Sequence, residues 1–372
     1  MIVNNEHSNR VRLGDYIEIY DVKNIESKDL PFCGINKDKT FMPTVADTNE
    51  LDKSKYKIVN KGVFVFSGMQ TGRDVCIRLA LYEKSDSILV SPAYTTFVVK
   101  DKSEILPEYL FIQFNRFEMD RFGWFLSDGS IRSNLDWGVF CDIMIPLPDI
   151  DIQQELVDSY NGLKALAEQN EALIKPLTEA CQAYIVDCKK KYSEVELGGY
   201  IDFYSEKNSD CQITLEQGIN IDKVFINPHR PNSDLSSRII VRKGQFAYCT
   251  QLNNENVAIA YRNGEDCVVS PVYKAFEIKQ EFKDKLLPEY LFLWLKRQEF
   301  GRYVYWRSVG SAYEFLQEEN IREYKIPIPL PEVQEAIVDV YNCAEEAKRI
   351  ASEAREIMKM LCPALVQRAI NA

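Results

Sequence analysis

The chain of 372 residues repeats its own sequence pattern once, about 180 positions further along. The hexapeptide LPEYLF at 106–111 returns unchanged at 287–292. Shorter matches flank it in the same order: RLGDYIE at 12–18 with ELGGYID at 196–202, GIN at 34–36 and 218–220, VSP at 90–92 and 269–271, and VDSYN at 157–161 with VDVYN at 338–342. This period exceeds the roughly 20 to 50 residues of solenoid repeats. The sequence therefore predicts two copies of one globular unit.

Each copy is predicted to combine a mixed α and β domain with a long helix. The first domain, 1–150, contains short β-rich runs and a helix that begins near Pro107. The second domain, 193–331, repeats this order. Helices of about 40 residues are expected at 151–192 and 332–372. The predicted fold class is α+β, with two duplicated mixed α/β domains separated by two long antiparallel coiled-coil helices.

Both long segments carry an apolar stripe at spacings of four and three, which is typical of a coiled-coil seam. The first stripe comprises Leu156, Tyr160, Leu163, Ala167, Asn170, Ile174, Leu177, Cys181, Tyr184 and Cys188. The second comprises Ile337, Val340, Ala344, Ala347, Ala351, Ala354, Met358, Leu361 and Leu365. Antiparallel pairing within one chain would bury both stripes. Homodimerisation through the same stripes is the alternative.

Several common functional classes find no support in the sequence. There is no phosphate-binding loop, zinc-protease motif or nucleophile elbow, so no catalytic residue is predicted. The chain has ten cysteines without a Cys-x-x-Cys pair and only two histidines, His7 and His229, so neither a metal site nor a cofactor is expected. It contains no stretch of about 18 uncharged apolar residues and no signal pattern at its start. We therefore expect a cytoplasmic protein with no membrane partner.

The net charge of −11 restricts how this chain could bind a polyanion. Nucleic-acid-binding proteins usually present a basic face. Any such surface must therefore be local, or must be completed by a basic partner subunit.

The ends of the two domains resemble a known family. The motifs that carry the resemblance are Gly129-Ser130, Leu135, IMIPLP at 143–148 and QQE at 153–155, with Gly310-Ser311, Leu316, IPIPLP at 326–331 and QE at 334–335 as their repeats. This arrangement resembles the specificity subunits of type I restriction-modification systems, over the whole chain. One difference is that the family usually has Glu-Gln after the proline motif, where both copies here have Gln-Glu.

The resemblance implies two target-recognition domains that each read half of a bipartite site in double-stranded DNA. It also implies that the two helices dock methyltransferase subunits, two in number, with restriction subunits as further partners. The chain itself would be non-catalytic.

The expected DNA-binding residues are side chains that donate and accept hydrogen bonds, and basic groups beside small-residue turns. Base readout is predicted for Gln70, Thr71, Arg73, Gln251, Asn253 and Asn254. Phosphate contact is predicted around the two Gly-Ser turns, for Arg121, Ser130, Arg132, Asn134, Arg302, Arg307, Ser311 and Tyr313. The alternative for each of them is an ordinary polar loop residue.

Two other functions remain open at this point. The chain could give specificity to a different modification or restriction enzyme, such as one that fuses cleavage and methylation in a single partner. It could also be a tandem adaptor that binds protein or carbohydrate and has no role on DNA.

Overall fold

A computed structural model describes residues 10–44, 51–131, 133–228, 230–252, 256–308 and 315–371, with side chains up to residue 359. The chain divides into two compact units. The first unit comprises residues 1–170 and 349–372, and the second comprises residues 171–348. Each unit therefore contains one globular domain and parts of both long helices.

The described residues of the first unit form ten short strands in its globular part. They are β1 Arg10–Arg12, β2 Ile17–Ile19, β3 Cys33–Ile35, β4 Phe41–Pro43, β5 Lys57–Val59, β6 Phe64–Ser67, β7 Arg78–Leu81, β8 Ile88–Val90, β9 Thr95–Val99 and β10 Met144–Pro146. Four of them form an antiparallel sheet in the order β2-β9-β6-β7. The pairs β1-β10, β3-β4 and β5-β8 are also antiparallel.

The second unit repeats this topology strand for strand. Its strands are β11 Glu194–Glu196, β12 Ile201–Tyr204, β13 Gly218–Ile219, β14 Phe225–Ile226, β15 Ile239–Val241, β16 Phe246–Cys249, β17 Ile259–Tyr261, β18 Cys267–Val269, β19 Tyr273–Ile278 and β20 Lys325–Pro327. The four-stranded sheet has the order β12-β19-β16-β17, and the pairs are β11-β20, β13-β14 and β15-β18. The internal duplication predicted from the sequence is therefore a duplication of fold.

Short helices connect the strands and cover one face of each sheet. In the first unit they are α1 Leu13–Tyr16, α2 Thr71–Asp74, α3 Pro107–Phe114, α4 Phe117–Leu126 and α5 Trp137–Cys141. In the second they are α7 Pro288–Lys296, α8 Gln298–Arg307 and α9 Glu318–Arg322. The repeated LPEYLF motif begins α3 and α7, with its proline in the first turn of each helix. Proline fits there because backbone N–H groups in the first turn have no acceptor within the helix, so no hydrogen bond is lost. The tyrosine of each motif is fully buried, and its hydroxyl donates to the last strand of the unit, Tyr109 to Pro146 O at 2.8 Å and Tyr290 to Pro327 O at 3.0 Å.

The two long helices are α6, Ile150–Lys191, and α10, Pro331–Asn371. The first unit holds the start of α6 and the end of α10, whereas the second unit holds the end of α6 and the start of α10. The helices therefore pack antiparallel within one chain. Both run through their internal prolines, Pro176 and Pro363, without interruption.

Burial along the helices confirms most of the predicted seam. In α10 the small residues Ala344, Ala347, Ala351 and Ala354 are each less than 5% exposed. In α6 one predicted seam residue is wrong. Tyr184 is 54% exposed, and Ile185 occupies the buried position at 3% exposure. An α-helix has 3.6 residues per turn, so a buried face does not follow a strict seven-residue pattern along a straight helix.

A buried glutamine joins each long helix to its globular domain. Gln153 accepts a hydrogen bond from Leu106 N at 2.9 Å and donates to Glu104 O and Pro148 O. Gln334 makes the equivalent three contacts, to Leu287 N, Lys285 O and Pro329 O. Both glutamines are fully buried. The glutamine at the start of each element, Gln153 in the first copy and Gln334 in the second, is therefore a structural residue.

In the part of the chain that the structure describes, every cysteine is free and no group of three or more His, Cys, Asp or Glu side chains could hold a metal ion. Burial raises the pKa of the Cys267 thiol to about 11, so this sulfur stays protonated at neutral pH. No described helix is long and apolar enough to cross a membrane.

Candidate nucleic-acid interface

Two loops of the first unit that are distant in sequence lie against each other. The turn that contains α2 is joined to the segment 127–135 by two backbone hydrogen bonds, Gly72 N to Ser133 O at 3.0 Å and Leu135 N to Gly68 O at 2.9 Å. Both glycines are required by this close approach. A Cβ on Gly68 would lie 2.1 Å from Leu135 O, and one on Gly72 would lie 2.5 Å from Ser133 Cβ. We call residues 70–75 together with 127–131 and 133–135 the first loop surface.

The backbone of the first loop surface is held in an uncommon conformation. Gln70, Val75 and Ser133 have φ values of 64°, 48° and 46°, in the left-handed region that side chains other than glycine seldom adopt. Such conformations persist only where the surrounding structure fixes them, and they concentrate at functional sites. Here the hydrogen bonds between the two loops supply that restraint.

A buried carboxylate gathers three cations at the first loop surface. Asp74, whose side chain is 3% exposed, forms ion pairs with Arg73 at 3.0 Å, with Arg78 and with Lys37 at 3.5 Å. The hydrogen bond from Arg73, followed by the pairing with Arg78, holds the pKa of this carboxyl below its usual range. Three positive charges around one negative charge make this region locally basic. Lys37 and Arg73 remain more than half exposed.

The first loop surface contains most of the residues predicted for the first domain. Arg73 is exposed, and one of its guanidinium nitrogens donates to Gln70 Oε1 at 2.7 Å, so these two side chains form one polar group. Thr71 is different. It is fully buried, and its hydroxyl donates to Gly68 O at 3.0 Å, so this side chain supports the turn and does not face solvent.

The predicted phosphate-contact residues of the first domain lie at and beside the same loops. Ser130 is exposed and donates to Asp128 Oδ1 at 2.6 Å, and the backbone N–H of Asn134 donates to the same carboxylate oxygen at 2.9 Å. Arg121 is exposed on α4, with its guanidinium 6.0 Å from the Phe117 ring. Arg132 lies outside the described residues.

In the second unit the structure describes the segments that flank the corresponding loops. Leu316 N donates to Thr250 O at 2.8 Å, and Gln251 pairs with Phe315 in an antiparallel bridge. These contacts bring the 250–252 and 315–318 segments together, as in the first unit. Gln251 is exposed. Asn253, Asn254, Ser311 and Tyr313 lie outside the described residues.

The two arginines predicted on α8 differ in their surroundings. Arg302 is exposed on the helix surface. Arg307 forms an ion pair with Glu323, lies 5.7 Å from the Trp306 ring and has a side chain that is 34% exposed. Part of its charge is therefore already compensated by Glu323.

The structure adds residues that the sequence did not single out. Lys37 reaches Asp74 from the β3-β4 hairpin, and the Cys76 thiol donates to Lys37 O at 3.2 Å. Exposed aromatic rings also stand at two matching positions, Trp124 and Phe125 at the end of α4, and Tyr305 and Trp306 at the end of α8. Their spacing of 181 residues is that of the repeat, so an alignment of the two halves could have identified them. No local pattern points to Lys37.

Comparison with known proteins agrees with this architecture. Residues 188–342 match the family model described as the type I restriction modification DNA specificity domain. No curated protein matches the sequence significantly.

The fold is similar to that of a solved specificity subunit. The type I restriction-modification S subunit from M. genitalium is 12% identical, with a TM-score of 0.62 over 100% of this chain and 98% of that one. The HsdS subunit from Thermoanaerobacter tengcongensis is 17% identical, with a TM-score of 0.42 over 98% and 97% of the two chains. The first likeness shows a shared fold, and the lower score of the second adds nothing to it. Residues 188–342 therefore match the type I restriction modification DNA specificity domain, in a chain whose fold is similar to that of the M. genitalium S subunit.

Proposed function

We propose that each of the two globular domains reads one half of a bipartite DNA site. The observation that carries this proposal is the identical strand order of the two domains, combined with loops that differ in sequence. A shared scaffold with divergent loops suits two readers of different base sequences, since loops on a rigid scaffold commonly carry recognition. The specificity domain matched at 188–342 covers the second reader, and the first is assigned by its equivalent topology.

Within the first reader, we assign contact with bases to the polar group formed by Gln70 and Arg73. An arginine can donate two hydrogen bonds to guanine, and a glutamine can pair with adenine, in the major groove. Lys37, Arg121 and Ser130 are assigned to phosphates, because Lys37 and Arg121 carry exposed positive charge and Ser130 is exposed on the 127–135 segment. Thr71 is assigned to holding the turn.

The second reader is assigned by the same logic. Gln251, Asn253 and Asn254 correspond to the base-reading group, and Ser311 and Tyr313 are assigned to phosphate contact beside the second Gly-Ser turn. Arg302 and Arg307 are assigned to phosphates. These assignments rest on the repeat and on the paired flanking segments 250–252 and 315–318.

We further propose that the chain has no catalytic activity and acts with partner subunits in the cytoplasm. Two methyltransferase subunits would dock on α6 and α10, and restriction subunits would join that complex. The net charge of −11 supports dependence on a partner, since DNA binding is dominated by attraction between phosphates and basic residues.

Exchange of a whole reader tests the proposal. Residues 1–150 would be replaced by the corresponding domain of another specificity subunit, and the methylated motif would be determined by sequencing the modified genome. We expect one half of the motif to change and the other to stay. A simultaneous change of both halves would contradict the assignment of one half-site to each domain.

A further inference from the structure

The exposed aromatic pairs at the ends of α4 and α8 occupy equivalent places in the repeat. Phe125 is 79% exposed, and Trp306, 181 residues later, is 74% exposed. The residue before each of them is also an exposed aromatic, Trp124 in the first copy and Tyr305 in the second. Exposed apolar groups that recur at one place in both copies of a fold indicate a binding surface.

Both helices pack on their domains through the same face. Gly123 of α4 and Val304 of α8 are equivalent, and both are buried. Gly123 permits close packing, since a Cβ there would lie 2.3 Å from Ile77 Cγ1. Residues three and four apart are neighbours on a helix, so Arg121 and Phe125 share the outer face of α4.

The outer faces of the two helices share an arginine one turn before the aromatic pair. Arg121 and Arg302 are equivalent, and both are exposed. The starts of the two helices differ, because Phe117 of α4 has Gln298 as its counterpart. The feature common to both copies is therefore an exposed arginine followed by two exposed rings.

In the first unit this outer face continues the first loop surface. The Trp124 ring lies against Gly72 of α2, where an added Cβ would be 3.4 Å from Trp124 Cδ1. The 127–131 segment follows directly after the last residue of α4, Leu126. DNA bound to the first loop surface would therefore lie beside the end of α4.

The chemistry of this face suits stacked bases. An aromatic ring stacks on the face of any base, and an apolar side chain can enter a base step and partly unstack it. An arginine beside it can contact phosphate. The two copies keep these groups although their loops differ in sequence. This favours a contact with what the two half-sites have in common, which is stacked base pairs and phosphates, and not a particular base sequence.

We propose that Phe125 and Trp306 each enter one base step of the DNA bound by their own domain, as an aromatic wedge, while Arg121 and Arg302 contact a neighbouring phosphate. The wedge replaces the stacking of one base on the next with the stacking of a base on the ring. This inference rests on the proposed function, in which both domains bind DNA, and adds a contact that depends on base stacking.

The test uses the assembled complex and a duplex that carries the motif identified by sequencing the modified genome. 2-Aminopurine replaces each adenine in turn, and pyrrolocytosine replaces each cytosine, so every base pair is examined with a base whose fluorescence rises on unstacking. We expect the wild type to raise the fluorescence at one step of the first half-site. Phe125→Ala should abolish this rise and lower the affinity about tenfold, whereas Phe125→Trp should retain both.

The matched control is Phe117→Ala, which removes a phenylalanine that is 68% exposed from the same helix. It should leave the fluorescence rise and the affinity unchanged. Trp306→Ala should abolish the rise at a step of the other half-site. Both Phe125→Ala and Trp306→Ala should leave the Tm of the complex unchanged, because each removes an exposed ring.

The wedge is overturned if the complex binds the duplex and no fluorescence change depends on Phe125 or Trp306. It is also overturned if Phe125→Ala weakens the assembly of the subunits without DNA, since the outer face of α4 would then be a protein contact. Failure of the proposed function would look different. Phe125→Ala and Trp306→Ala would then act on the same half-site, so the wedge would stand and the assignment of one half-site to each domain would not.

Discussion

Lys39 and Lys223 occupy the same place in the two copies but have different neighbours. Each lies in the turn of a hairpin, β3-β4 or β13-β14, with φ near 60°. Lys39 is 3% exposed and pairs with Asp120 of α4 at 2.8 Å. At the fourth position of α8, where α4 has Asp120, the second copy has Gly301. Both lysines donate to the equivalent backbone oxygen, Lys39 to Phe114 O and Lys223 to Leu295 O at 2.6 Å, so the carboxylate is the difference between the two sites.

This difference predicts opposite effects of one substitution. Burial lowers the pKa of Lys223 to about 8, below an ordinary value of about 10.4, so the charged form is disfavoured in the folded protein. Lys223→Met should be neutral or stabilise the protein at pH 7, by about 1 to 2 kcal/mol. Lys39→Met should cost about 3 to 5 kcal/mol, because it leaves the Asp120 carboxylate buried and unpaired.

The pH dependence provides the control. The penalty of the charged Lys223 is complete below pH 8 and disappears as the pH rises from about 8 to about 10.4. The advantage of Lys223→Met, measured by urea unfolding, should therefore be largest at pH 7 and shrink above pH 8. If Lys39→Met and Lys223→Met lost the same free energy of unfolding at pH 7, the proposed difference between the two lysine sites would be wrong.

A second prediction concerns the buried glutamines. Gln153→Ala removes three hydrogen bonds and leaves three backbone groups without partners, so we expect a loss of about 2 to 4 kcal/mol in the stability of the first unit. The neighbouring Gln154 is exposed and its side chain donates to Asp158 Oδ1 at 2.8 Å, which makes Gln154→Ala the matched control. Denaturant unfolding followed by tryptophan fluorescence would measure both. Similar losses in the two variants would rule out the proposed role of Gln153.

At the level of elements, the contact between α2 and the 127–135 segment is the feature most open to test. Gly72→Ala places a Cβ 2.5 Å from Ser133 Cβ and should separate the two loops. Gly129→Ala, in the same segment, meets nothing within 4 Å and serves as the control. We expect Gly72→Ala to abolish recognition of one half-site in the assembled complex while the unfolding midpoint changes little. Unaltered methylation in this variant would show that the contact does not shape the reading surface.

The side chains on these elements should divide by role. Arg73→Ala is expected to relax one base position by about 1 to 3 kcal/mol, because it removes a group assigned to base edges. Arg121→Ala should weaken binding to all sequences alike and reduce its salt dependence. Binding of the assembled complex to a set of single-base variants of the site would distinguish the two. If Arg73→Ala weakened all of them equally, Arg73 would be a phosphate contact.

The sequence predicted elements better than side-chain neighbours. The repeat and the apolar stripes identified both domains and both helices, because periodicity and identity are local properties of a sequence. The burial of Thr71 was not predictable in this way, because it depends on a hydrogen bond to Gly68 O that closes the turn. The exposure of Tyr184 was not predictable either, because it depends on the 3.6-residue helical period, which brings Ile185 to the seam. The link from Lys37 to Asp74 joins residues 37 positions apart through the fold, and no motif marks it.

At the scale of the whole molecule, the two units divide the long helices between them. The first unit uses residues 349–372 as well as residues 1–170. Deletion of 349–372 should therefore destabilise the first unit, although the second unit is nearer in sequence to the cut. Hydrogen exchange would be compared in the full and shortened chains. We expect lost protection around Ala167 and retained protection around Ala344. Equal loss in both regions would mean that the helices fold as a single cooperative element.

This division has a consequence for how such a chain can be encoded. If the ends of the protein were joined and the ring opened between Asn170 and Glu171, the order would become 171–348 followed by 349–372 and 1–170. Each half would then be an uninterrupted stretch consisting of a helix segment, a globular domain and a second helix segment. The order of these segments in the sequence is thus a circular permutation of a tandem repeat. Each half of such a repeat would contain one globular domain together with the helix segments of its own unit.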